Sequence, residues 1–121
     1  MSDLFSGEDL KPRSLDEMKK EVSDLMAESE RLREEHDSML KRSDELRNQS
    51  IEARSADPAL AESLWEESEK LRDESKDVLR ESVEKRVRAA DVQHRVDIRA
   101  EMEVIDQSDE IWKAASRARR G

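Results

Sequence analysis

Cysteine is absent from this 121-residue chain, which excludes disulfides, zinc–thiolate sites and thiol nucleophiles and leaves the redox compartment open. Glycine and proline occur only twice each, at Gly7, Gly121, Pro12 and Pro58, so neither 13–57 nor 59–120 holds a strong helix breaker. Aromatic residues are almost missing too: two Trp, one Phe and no Tyr, 2% of the chain. Such a composition cannot fill the interior of a compact sphere of this length. No apolar run approaches the length of a membrane span, and no signal-peptide core follows Met1. The sequence therefore predicts a soluble protein, cytoplasmic or virion-associated, not secreted through a signal peptide.

What the chain does have is charge. Charged residues make up 45% and the formal net charge is -9, a balance that disfavours anionic membranes and generic nucleic-acid binding. A composition of this kind suits either a disordered chain or long helices that bury a narrow stripe, and periodicity separates the two. Leu15, Met18, Val22, Leu25, Ser29, Leu32, His36, Met39, Ser43, Leu46, Ser50 and Ala53 alternate at three and four residues, the heptad spacing of a helix with one buried seam. Ala61, Leu64, Ser68, Leu71, Ser75, Val78, Ser82, Lys85, Ala89, Val92 and Val96 repeat it.

Local signals set the ends. Ser14 with Glu17 three residues on is a capping box, with Asp16 and Glu17 in a favourable first turn. Pro58 removes a backbone donor and drives Asp57 out of the helical region, yet Asp57 as N-cap with Pro58 at the first helical position restarts a helix at once. The expected layout is an extended N-terminal arm over 1–13, helix one over 14–54, a turn at 55–57, and helix two over 58–118, whose residues 100–121 form a partner-binding overhang with a basic tail. The fold class is all-α: a long antiparallel coiled-coil helix hairpin with rods of about 60 and about 90 Å.

Both seams alternate a small residue with a larger one. An antiparallel pair that sets small against large predicts layers of Ser50 with Leu64, Leu46 with Ser68, Ser43 with Leu71, Leu32 with Ser82, Ser29 with Lys85, Val22 with Val92 and Met18 with Val96. The same register brings Arg42 near Glu74, Glu28 near Arg88 and Glu21 near Arg95.

Two surfaces remain for partners. Beside the seam, Met26, Leu40, Trp65 and Leu79 interleave with Arg33, Arg47, Arg72 and Arg86, either widening the intramolecular seam or packing on a second hairpin with Trp65 as anchor. Toward the end of helix two, Ile98, Met102, Ile105, Ile111 and Trp112 form a broad apolar stripe, for the arm residues Leu4, Phe5 and Leu10 or for another protein to cover. Lys113, Arg117, Arg119 and Arg120 then end the helix, complementing its dipole or docking on an acidic protein surface.

Chemistry is not expected. His36 and His94 are the only histidines, Arg33 stands where a paired Glu-x-x-His motif would need an acid, and no Gly-rich phosphate loop or nucleophile motif occurs. No catalytic residue, metal or cofactor is expected, and nucleic acid is a poor partner for this pattern. The sequence points to a non-enzymatic structural or assembly protein acting as an oligomerising or partner-docking hairpin. An acidic helical rod ending in a basic segment is similar, in composition and layout and not in motif, to viral scaffolding and virion-assembly proteins, which implies a role in virion assembly. Two other readings stay open: a regulatory adaptor or chaperone-like binding module, and an acidic decoy for a nucleic-acid-binding protein.

Overall fold

The computed structural model describes residues 13–120, so the expected arm lies, apart from Arg13, outside the described residues. The protein is an all-α helical hairpin. Helix α1 spans Leu15–Ala53 (39 residues) and α2 spans Pro58–Arg120 (63 residues), and the two pack against each other, with no strand among the described residues. Ser14 starts α1 by accepting a hydrogen bond from the Glu17 N–H on its Oγ, at 3.1 Å, and the Met18 N–H on its carbonyl. At the turn the Asp57 N–H donates to the Ala53 carbonyl at 2.7 Å, while Asp57 Oδ1 accepts from the Leu60 N–H at 3.1 Å. One residue thus closes α1 and caps α2, and Pro58 follows where a missing donor costs nothing.

The chain divides into two compact units, Asp24–Arg88 and the remainder, in which residues up to Ser23 join Ala89 onward. The Asp24–Arg88 unit has a seam of serines. Ser29, Ser43, Ser50, Ser68, Ser75 and Ser82 are all buried, whereas Leu32, Met39, Leu64, Leu71 and Val78 are only half-buried. Leu46, 2% exposed, is the most buried apolar side chain of the unit.

Hydrogen bonds fix the register. Ser43 Oγ donates to the Ser68 carbonyl at 2.9 Å, and Ser50 Oγ to the Ala61 carbonyl at 2.5 Å. Ser29 Oγ donates to the Ser82 carbonyl at 2.9 Å and Ser82 Oγ to the Ser29 carbonyl at 2.8 Å, with the two hydroxyl oxygens 3.0 Å apart. Small residues therefore face small ones. This corrects the expected layers: Ser43 meets Ser68 and not Leu71, Ser50 meets Ala61 and not Leu64, and Ser29 meets Ser82 and not Lys85, each three residues away from the small-on-large register.

The physical reason is reach. A serine hydroxyl touches the backbone of the facing helix only where the axes lie at the short end of the usual range of roughly 8–10 Å. A leucine in the facing position would hold the backbones apart and leave the hydroxyl to its own helix. Ser68 and Ser75 do turn back in that way, donating to the Trp65 and Arg72 carbonyls at 2.8 and 2.6 Å, so each of these buried hydroxyls has an acceptor.

The shift also moves the ion pairs. Glu28 pairs with Lys85 at 3.1 Å and Asp44 with Arg72 at 3.0 Å, while Arg42 turns to Glu45 of its own helix at 3.6 Å. In the other unit Glu21 pairs with Arg13, and Arg95 with Asp91 at 3.2 Å. None of the three expected cross-helix charge pairs forms. Exposed pairs contribute only about 0.2–1 kcal/mol each, too little to oppose a register set by buried groups.

The second unit has an apolar seam. Met18, Val92 and Val96 are buried together, with Leu15 and Val22 packed against them. Arg99 Nη1 donates to the Arg13 carbonyl just ahead of α1.

Three substitutions test the seam. Ser43→Ala should cost about 0.5–1.5 kcal/mol, the loss of one hydrogen bond that leaves no orphaned donor. Ser43→Leu should cost more, because it wedges the helices apart, typically about 1–3 kcal/mol for overpacking. Leu46→Ala should cost about 2–5 kcal/mol. Urea unfolding followed by circular dichroism measures all three, and a Ser43→Leu variant as stable as the parent would contradict close approach at this layer.

Candidate docking surfaces

In the Asp24–Arg88 unit the residues expected to form a stripe beside the seam divide into two kinds. Met26 is 47% exposed, whereas Leu40, Trp65 and Leu79 are half-buried. Trp65 is already engaged: the Arg47 guanidinium lies 4.6 Å from its ring centroid, its Nε1 donates to Glu69 Oε1 at 2.9 Å, and Arg47 Nε donates to Ser68 Oγ at 3.3 Å. A cation over an indole face is worth about 0.5–1 kcal/mol at exposed sites. Arg47 thus joins the indole to the buried serine layer. Trp65 is thus engaged within its own unit, and Met26 is the most accessible of the four.

Close to the turn, Ser50, Arg54, Pro58, Ala61, Glu62 and Trp65 line an open groove. Ile51 and Leu60 are exposed in the same unit, as are Val83 and Val87. Sequence reasoning passed over these four. They sit off the heptad seam on otherwise charged faces, and their signal was their identity alone: a branched or aliphatic side chain where the pattern calls for a polar one.

In the other unit the expected apolar stripe of α2 is accessible throughout. Ile98, Met102 and Ile105 are exposed, Ile111 is 70% and Trp112 65% exposed, and Val104 joins them. Large apolar side chains this accessible and this close together on one helix are a mark of an interaction surface. Ala100, Glu101, Val104 and Ile105 form an apolar shallow depression, and Trp112, Lys113, Ser116, Arg117 and Arg120 a second, cationic one. Arg117, Arg119 and Arg120 occupy the last turn of α2, where positive charge meets the unsatisfied carbonyl groups of the helix end. Arg117 Nε lies 3.4 Å from the Lys113 carbonyl, and Lys113 pairs with Asp109 at 3.0 Å.

Among the described residues no group of three or more His, Asp or Glu side chains is placed to hold a metal ion, and no helix is long and apolar enough to cross a membrane. His36, 14% exposed at its side chain, lies in the seam with Nδ1 3.1 Å from Asp37 Oδ1. It falls midway between the Ser29–Ser82 and Ser43–Ser68 layers, opposite Ser75.

The two tryptophans should report these surfaces separately. With Trp112→Phe the remaining Trp65 emission should be the bluer and less accessible to acrylamide, and adding Arg47→Ala should shift it red. With Trp65→Phe, Trp112 should quench nearly as fast as free indole once the protein is diluted to single chains; equal quenching of the two tryptophans in single chains would contradict their placement. Comparison with protein-family models, with curated proteins and with solved structures finds no match to this chain.

Proposed function

We propose that this chain is a non-enzymatic structural or assembly protein, a helical hairpin that docks on protein partners, further copies of itself among them. The observation that carries the reading is the exposed apolar face of α2 from Ile98 to Trp112, followed directly by the cationic last turn. Burying one side chain of the Leu, Ile or Met class is worth about 1.5–3 kcal/mol, so a face with Ile98, Met102, Ile105 and the Trp112 indole favours a covered state. A role in a larger assembly, virion assembly included, at a cytoplasmic or virion-associated site fits this arrangement.

The second reading is a regulatory adaptor. It is supported by the groove beside the turn and the exposed Ile51 and Leu60, which would hold a client at the hairpin end.

Light scattering on the purified chain tests the proposal. A defined oligomer is expected, reduced to single chains by Ile105→Asp with Trp112→Ala while helicity stays unchanged. A parent chain that stays single at every concentration and binds a client through the turn would favour the adaptor instead.

A further inference from the structure

The charges of the last part of α2 are segregated. Between Ala100 and Trp112 there are five acids, Glu101, Glu103, Asp106, Asp109 and Glu110, and no base; between Lys113 and Arg120 there are four bases and no acid. Six of these charges fall on one line along the helix. Glu103, Asp106, Glu110, Lys113, Arg117 and Arg120 are spaced by three, four, three, four and three residues, the spacing of a single helical face, and all are exposed. The row flanks the stripe of Ile98, Met102, Ile105 and Trp112.

That row reads the same from both ends except that its sign inverts. Its midpoint lies between Ile111 and Trp112. We infer that a second copy of this chain docks antiparallel on this face of α2, about a two-fold axis at that midpoint. Glu103 then faces Arg120 of the other copy, Asp106 faces Arg117, and Glu110 faces Lys113, each pair occurring twice by symmetry. A parallel, in-register copy would instead set every charge against its like. The same axis brings the two Trp112 side chains together at the centre, the position where an aromatic anchor contributes most to an interface.

The charges are available for this. Among the described residues Asp106, Glu110 and Arg120 make no ion pair, and Arg117 touches only a backbone carbonyl of its own helix. Lys113 and Glu103 have partners one turn away, Asp109 at 3.0 Å and Arg99 at 3.8 Å, both exposed pairs that yield at little cost. Within the overlap Ile105 and Trp112 supply the apolar contact, while Ile98 and Met102 lie at or past the end of the other copy's helix; the charge row selects direction and register, the role that flanking charges play in paired helices. Raising the salt concentration should accordingly weaken the selection more than the attraction.

This inference rests on the assembly reading, and charge reversal separates the two. One full-length variant carries Glu103→Arg, Asp106→Arg and Glu110→Lys, making the row wholly basic. The other carries Lys113→Glu, Arg117→Glu and Arg120→Glu, making it wholly acidic. Sedimentation at low salt should find the parent chain dimeric or larger and each variant single, with helicity retained by circular dichroism. An equimolar mixture of the two should recover the pairing, because all six contacts are then opposite in sign, and that recovery also shows that neither variant had misfolded. A variant that keeps the parent's mass by itself, or a mixture that stays apart while the parent associates, overturns the antiparallel docking and leaves the assembly reading standing. A parent chain that stays single, with Trp112 shielded from quencher, would assign the face to residues 1–12 and overturn both.

Discussion

A serine hydroxyl that donates to the carbonyl of the opposite helix sets the distance between the two helices of the Asp24–Arg88 unit, and most of that unit follows from it. The bond is short-ranged and directional, so it demands small residues on both sides of each layer it occupies: Ser29 with Ser82, Ser43 with Ser68, Ser50 with Ala61. Backbones that come this close leave no room for a leucine between them. Leu32, Leu64 and Leu71 are displaced to the margins, where they are only half-buried, and long cationic stems complete the cover, as Arg47 does over Trp65. The lost hydrophobic contribution at the centre is offset by satisfied polar groups and by backbone packing.

Repetition every seven residues creates a hazard, since a slide by one heptad would set serine against serine again. The interruptions prevent it. His36 stands where the serine ladder of α1 skips a rung, and Ala61 is the final member on α2. Sliding by seven would press an imidazole into the Ser68 or Ser82 layer, both fully closed in the native register. Axial alignment is therefore set by the exceptions to the repeat.

Much of this was legible in the residues. The two helices, the caps at Ser14 and Asp57, the turn ahead of Pro58 and the identity of the seam all follow from propensity and heptad phase. Heptad phase specifies which face of a helix is buried, however, and not how far one helix slides along the other. The small-on-large expectation treated serine as a space-filler. Serine is also a donor, and a three-residue slide gives its proton an acceptor on the neighbouring backbone. Charge pairing misled for a related reason: Arg42 and Arg95 are long enough to choose the nearest acid on their own helix. Of the candidate docking residues, the stripe from Ile98 to Trp112 was readable because its apolar spacing continues beyond the point where Arg99 holds the Arg13 carbonyl. The engagement of Trp65 was not, since it depends on the rotamer of Arg47.

The serine seam also bears on how the hairpin responds to temperature. Exposing apolar surface raises the heat capacity of unfolding and exposing polar surface lowers it, with an ordinary domain averaging about 12–15 cal/mol/K per residue. A seam of hydroxyls and carbonyls releases little apolar surface when it opens, so this unit falls below that average and its free energy of unfolding curves only gently with temperature. The hairpin then gains little stability from cooling and resists cold denaturation.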